Sequence, residues 1–143
     1  MEFQNSALII VDVQKAFDNE KWGKRNNVNA EENISRILKK WRKMKWPVIF
    51  IQHKSDNPNS LFHPMNKGFA IKDIVRPLSG EVFITKKVNS CFIGTNLENY
   101  LRDLEIGTVV ITGLTTPHCV STTTRMSGNL GFKTYIISEE TAA

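Results

Sequence analysis

The stretch "ALIIVDV", residues 7–13, is a nearly continuous aliphatic run that ends in an acid and a valine. A run this apolar is typical of a strand that is buried on both faces, as in a parallel sheet between two layers of helices. Similar runs follow at "PVIFIQ" (47–52), "EVFIT" (81–85), "TVVIT" (108–112) and "FKTYIIS" (132–138). We therefore predict five strands, the first of them over residues 7–13.

Amphipathic segments lie between several of these apolar runs. Residues 29–46 carry apolar side chains at helical spacing, and so do residues 95–106, where Thr95 and Glu98 form a capping-box pattern. A third helix is predicted to begin at Thr116, which precedes a proline at the first helical position. Strands that alternate with helices predict an α/β fold with a mostly parallel sheet covered on both faces.

Length and composition limit the domain organisation. The 143 residues, of which 41% are hydrophobic and 23% charged, predict one globular domain over residues 1–143. Because no apolar run approaches the roughly 20 residues that span a bilayer, we expect no membrane partner. The two cysteines form no disulfide framework, and the N-terminus does not resemble a signal peptide, so we expect a cytoplasmic protein.

The net charge of +5 comes largely from two basic segments, "KAFDNEKWGKR" and "LKKWRKMK". A basic surface attracts nucleic acids and other anions, but neither segment belongs to a recognition motif. We interpret them as a solvated helix face and a loop, and we expect no nucleic-acid partner.

Three residues whose side chains could take part in catalysis lie at or just after the ends of predicted strands. Asp12 ends the first strand, Lys86 follows the third, and Cys119 follows the fourth. Ligands of open parallel sheets bind beyond the carboxyl ends of the strands. The predicted fold therefore brings these three side chains to one edge of the sheet.

Each of the three residues also has a structural interpretation. On a helix that begins at Thr116, Cys119 lies in the first turn, where the helix dipole favours a thiolate, yet a cysteine there also fills space as a small hydrophobe. Asp12 must be paired, hydrogen-bonded or protonated, either as a general base or as a turn residue. Alternation along the third strand does not decide whether Lys86 or Lys87 faces the site. Cys91 has no such position and is interpreted as packing.

Histidines offer a rival arrangement. His118 adjoins Cys119, but neighbours on a helix point about 100° apart, which makes His118 a poor partner for that thiol. His53, at the end of the second strand, is better placed. A Cys119–His53–Asp12 triad therefore stands as an alternative.

Three separated motifs resemble those of the isochorismatase-like cysteine hydrolases, a family that includes nicotinamidases and carbamoylases. "LIIVDVQKAF" (8–17) is similar to the strand-one signature, in which Gln follows an Asp by two residues and an aromatic residue comes next. "TKKVNSCFIGTNLENYL" (85–101) is similar to the lysine segment, whose spacing selects Lys86. "GLTTPHCVSTTTR" (113–125) is similar to the G-x-x-T-x-x-C-V block.

This resemblance implies a three-layer α/β/α Rossmann-like sandwich and a hydrolase that cleaves a C–N bond of a small amide or carbamoyl substrate through a thioester. It implies that Cys119 is the nucleophile, Asp12 the general base, and Lys86 their electrostatic partner. The oxyanion hole would use the backbone N–H groups of Thr115 and Cys119, beside a cis peptide between Leu114 and Thr115. No cofactor is implied.

Two departures from the family pattern refine these expectations. Nicotinamidases carry an Asp-x-His metal element after strand two, where this chain has Ile51, Gln52 and His53, so we predict no metal. Family members also continue beyond the segment "SEETAA" (138–143), which implies that the C-terminal helix and strand are missing here, through truncation or because a partner subunit supplies that layer. A homo-oligomer, dimer or tetramer, is therefore expected. A catalytically inactive fold that serves ligand binding or oligomerisation is the remaining alternative.

The substrate-binding side chains are expected to include Phe17, His53 and Phe92. The resemblance implies this choice, because the family's specificities vary with these parts of the chain, with the 53–80 loop and with residues that another subunit could supply. The sequence does not identify the substrate.

Overall fold

The computed structural model describes residues 6–18, 30–114 and 120–142. Five parallel strands form one sheet in the order β3-β2-β1-β4-β5. The strands are β1 (Ser6–Val11), β2 (Val48–His53), β3 (Val82–Lys86), β4 (Thr108–Leu114) and β5 (Lys133–Ala142). All five predicted strands are confirmed, although β1 ends at Val11 rather than at residue 13.

Helices cover both faces of the sheet. They are α1 (Ala30–Lys43), α2 (Leu97–Asp103) and α3 (Ser121–Asn129). Even-numbered residues of β1, such as Leu8 and Ile10, pack with α1, while odd-numbered residues share a cluster with α2. This burial on both faces explains the unbroken aliphatic run and confirms the α/β Rossmann-like fold. No helix in the described parts of the chain is both long and apolar enough to cross a membrane.

The regular alternation of β1 stops at Asp12. Its backbone has φ 57°, in the left-handed region, which Asp tolerates better than most residues. Val13 joins the cluster of Leu8 and Ile10, although strict alternation would have put it with Val11. The predicted strand is therefore two residues too long, because the left-handed conformation of Asp12 interrupts the alternation of the strand.

The predicted capping box of the second helix is wrong. The hydroxyl of Thr95 donates to the carbonyl oxygen of Cys91 at 2.6 Å and accepts from the N–H of Leu97 at 3.3 Å, and α2 begins at Leu97 rather than after Thr95. Glu98 instead pairs with Arg102 within the helix at 2.8 Å. The third helix has helical backbone angles already at Val120, and its predicted start at Thr116 lies outside the described residues.

Candidate active site

A buried ion pair lies at the carboxyl edge of the sheet. The Nζ atom of Lys86, at the end of β3, is 3.0 Å from Oδ2 of Asp12, which follows β1. The side chains are 0% and 1% exposed, respectively. Removing two charges from water is costly, and their attraction offsets that cost only where the geometry is close and further hydrogen bonds are made. The two residues are 74 positions apart in the chain, and only the sheet brings them together.

The structure distinguishes the two consecutive lysines. Lys87 pairs with Asp56 at 3.0 Å, and its side chain is 61% exposed, as an ordinary surface lysine would be. Lys86, in contrast, follows Val82 and Ile84 on the face that packs with α2. The alternation of β3 thus directs Lys86 inward and Lys87 to the surface.

His53 lies beside this ion pair. The parallel register of β2 and β3 aligns His53 with Lys86, and Nδ1 of His53 is 3.2 Å from Nζ of Lys86. The imidazole is also in edge-to-face contact with Phe62, at 5.2 Å between ring centroids. Burial, followed by the charge of Lys86, lowers the pKa of His53, and the charge of Asp12 partly opposes this shift.

The end of β4 lies directly beside the end of β1. Gly113 pairs with Val11, the residue before Asp12, and has φ 143°. A Cβ atom at Gly113 would overlap the backbone of Val11, so only glycine allows this approach. Thr115, Cys119 and the Leu114–Thr115 peptide lie outside the described residues, and their predicted roles stay predictions.

The described part of the chain resumes at Val120, which is fully buried in the core cluster that contains Val11. Cys91 belongs to the same cluster and contacts α3: its N–H donates to Oγ1 of Thr123 at 3.0 Å, and the Thr123 hydroxyl is 3.2 Å from its sulfur. The packing interpretation of Cys91 is therefore confirmed. The contact also fixes the helix that follows Cys119.

Two aromatic residues were predicted to bind substrate. Phe92 is 9% exposed and stacks on Phe132 at 6.1 Å between ring centroids, which gives it a packing role. Phe17 lies in a short 3-10 helix, Lys15–Asp18, and its side chain is not among those described. Contact of either residue with a substrate stays a prediction.

Gln14 lies at the same edge of the sheet and is not among the residues predicted for the site. Its buried side chain donates to the carbonyl oxygens of His53 at 3.0 Å and Phe69 at 2.8 Å, and accepts from the N–H of His53 at 2.8 Å. Gln14 thereby joins the end of β2 to the long connection before β3. The available signal was the Asp-x-Gln pattern, to which only the Asp had been given a role.

Within residues 6–18, 30–114 and 120–142, no group of three or more His, Cys, Asp or Glu side chains could hold a metal ion. The predicted lack of a metal site across the whole chain stays a prediction, because the remaining residues are not described.

The fold and the residues at this edge define an α/β protein of the isochorismatase class. The sequence matches the isochorismatase domain over residues 6–143, and the chain belongs to that family. The family includes amidases, and membership supports a hydrolase.

Particular relatives agree with this assignment. The chain is 73% identical over 140 residues to YrdC, an isochorismatase-family protein of Bacillus subtilis, covering 98% of this chain and 75% of that protein. A solved isochorismatase-family protein of Chromobacterium violaceum superposes with a TM-score of 0.96 at 38% identity, covering 98% of this chain and 72% of that one. The N-carbamoylsarcosine amidase of Thermoplasma acidophilum superposes with a TM-score of 0.82 at 26% identity, covering 96% and 84%.

Proposed function

We propose that this protein is a cysteine hydrolase that cleaves a C–N bond in a small amide or carbamoyl compound. The observation that carries the proposal is the buried Lys86–Asp12 ion pair, at 3.0 Å, beside the end of the strand that leads to Cys119. Cys119 is the nucleophile, Asp12 the general base, and Lys86 their electrostatic partner.

The placement of the ion pair supports this assignment. Gly113 pairs with Val11, next to Asp12, and the chain continues from β4 through the segment that contains Cys119 to the buried Val120. A carboxylate at such a location is suited to accept a thiol proton, and a neighbouring ammonium stabilises negative charge that moves between the two groups. An ion pair that served stability alone would have little advantage over apolar packing.

The proposed reaction has two stages. Asp12 takes the proton of the Cys119 thiol, the sulfur bonds to the substrate carbonyl carbon, and the C–N bond breaks as the amine leaves with that proton. Water, deprotonated by Asp12, then attacks the thioester and releases the acid and the free thiol. The N–H groups of Thr115 and Cys119 stabilise the oxyanion in both stages.

The family comparison supports the same bond type, because one structural neighbour is an N-carbamoylsarcosine amidase. The rival Cys119–His53–Asp12 triad would need a direct contact between His53 and Asp12. Instead, Nζ of Lys86 lies between them and contacts both side chains, so this arrangement is less well supported.

Selective alkylation tests the nucleophile. Iodoacetamide followed by peptide mass spectrometry should label Cys119 in preference to the buried Cys91 in the native protein, because a thiolate reacts and a packed thiol does not. Preferential labelling of Cys91 would contradict the proposal. Cys91→Ala is the matched variant, in which Cys119 labelling should persist.

Ammonia release from N-carbamoylsarcosine, nicotinamide and simple aliphatic amides tests the reaction. Cys119→Ala and Asp12→Asn should each reduce turnover by about 10³-fold or more, and Lys86→Ala by at least about 10²-fold. Lys87→Ala, which removes only a surface ion pair, should match the parent protein. Full activity of Cys119→Ala would contradict the assignment of Cys119 as the nucleophile. No turnover of any compound by a well-folded parent protein would favour the inactive fold.

A further inference from the structure

We propose that His53 is a positioning residue that accepts a hydrogen bond from Lys86 and thereby holds the Lys86 ammonium against Asp12. The inference deepens the proposed function and rests on it for its catalytic consequence. The geometry is that Nζ of Lys86 lies 3.0 Å from Oδ2 of Asp12 and 3.2 Å from Nδ1 of His53.

The chemistry of the two groups sets the direction of the hydrogen bond. A lysine ammonium has three N–H donors and no acceptor, so Nδ1 of His53 must be the unprotonated nitrogen and its proton must lie on Nε2. An imidazolium could not serve, because it has no acceptor and would bring a second positive charge to the ammonium.

The surroundings of His53 favour the neutral imidazole. Among the described residues, the charged groups that act on it are Lys86 from β3 and Asp12 from the end of β1. The long connection contributes the ring of Phe62, which is uncharged. Burial and the Lys86 charge lower the pKa of His53 below its ordinary 6.5, against the opposing effect of Asp12.

The backbone around His53 is fixed independently of its ring. Both its N–H and its carbonyl oxygen are hydrogen-bonded to the side chain of Gln14. In the β2–β3 pairing, its backbone lies opposite that of Lys86. Substitutions of the ring should therefore leave the strand in place and test the side-chain contact itself.

Two variants separate this role from the alternatives. His53→Leu removes the acceptor, while His53→Asn offers an amide oxygen close to the position of Nδ1. With the best substrate of the amide panel, we expect His53→Leu to lower kcat by about 10-fold with little change in KM, and His53→Asn to stay within about threefold of the parent. His63→Asn, in the connection before β3, is the matched control and should behave as the parent.

Other results would overturn the proposal. A raised KM with unchanged kcat in His53→Leu would assign His53 to substrate binding. A loss of about 10³-fold or more in His53→Asn would assign it to the rival triad, because asparagine cannot act as a general base.

Nitrogen NMR of the imidazole decides the contact even if no substrate is turned over. We expect an unprotonated Nδ1 at neutral pH, and a titration that moves to higher pH in Lys86→Met, which removes the neighbouring charge. A protonated Nδ1 at neutral pH would overturn the proposal. Absent turnover together with the expected spectrum would count against the hydrolase and leave the positioning contact supported.

The burial of His53, together with the neighbouring Lys86 charge, lowers its pKa and predicts a pH effect on stability. Because the folded protein takes up the His53 proton less readily than the unfolded chain, this contribution to the free energy of unfolding is fully present above pH 6.5 and is lost as the pH falls below that value. His53→Asn should flatten the curve there, and an unchanged slope would count against the proposal.

Discussion

Asp12 combines a backbone role with a side-chain role. Its backbone, with φ 57°, follows the end of β1. Its carboxylate contacts Lys86 of β3, although β2 lies between β1 and β3 in the sheet. A substitution that disturbed both roles would be uninformative. Asparagine tolerates the left-handed region at least as well as aspartate and has nearly the same shape, so Asp12→Asn changes mainly the charge.

We expect Asp12→Asn to lower the free energy of unfolding by about 3 kcal/mol, because it leaves the Lys86 ammonium buried without its carboxylate. Adding Lys86→Met should recover most of this loss, since two neutral side chains then replace the pair, while turnover stays abolished. Urea denaturation of the parent, both single variants and the double variant gives the coupling energy. If the losses of unfolding free energy in the two single variants simply added in the double variant, Asp12 and Lys86 would not be energetically coupled.

At the scale of elements, the site depends on how closely two strand ends approach. β1 and β4 are adjacent, and Gly113 pairs with Val11 where each strand nears its end. The backbone at Gly113 has a positive φ and contacts Val11 too closely for any side chain. Because the chain continues from this strand end to Cys119, we expect a change at this junction to disturb the proposed site.

Gly113→Ala should destabilise the protein by about 2–4 kcal/mol and reduce turnover, because the new methyl group overlaps Val11 and strains the backbone. Thermal and urea unfolding measure the first effect, and ammonia release the second. Gly128→Ala is the matched control: Gly128 lies in α3 with open space around it, so alanine should be neutral or stabilising by up to about 1 kcal/mol. Equal effects of the two substitutions would contradict this account.

At the scale of the whole molecule, the long connection between β2 and β3 is attached to the rest of the fold at several points. Gln14 bonds to Phe69, and Gln52 donates to the same carbonyl oxygen at 3.1 Å. Farther along, Lys72 pairs with Glu31 of α1 at 2.6 Å. These polar contacts hold a segment with few buried apolar residues against the sheet edge.

Gln14→Glu should lower the free energy of unfolding by about 2–4 kcal/mol, because a carboxylate would face two carbonyl oxygens that the amide now satisfies. Limited proteolysis should cut residues 54–80 faster in this variant. Gln52→Ala, which removes one bond to Phe69, should cost only about 1 kcal/mol. Unchanged proteolysis and stability in Gln14→Glu would show that Gln14 does not hold the connection.

Local patterns were enough to predict the five strands, the helices between them and the sheet edge to which Asp12 is delivered. These features follow from apolar runs, helical spacing and polar residues placed directly after strands. The motifs added the choice of Lys86 over Lys87 and the family, and the comparison confirmed the family.

The strand order, the left-handed conformation of Asp12 and the contacts of Lys86 with Asp12 and His53 are evident only in the folded structure. Strand pairing joins residues far apart in the chain, and no local pattern encodes its order. The role of Gln14 was hidden for the same reason, since its partners His53 and Phe69 are 39 and 55 positions away. Local periodicity thus specifies the elements, whereas long-range packing specifies which side chains meet.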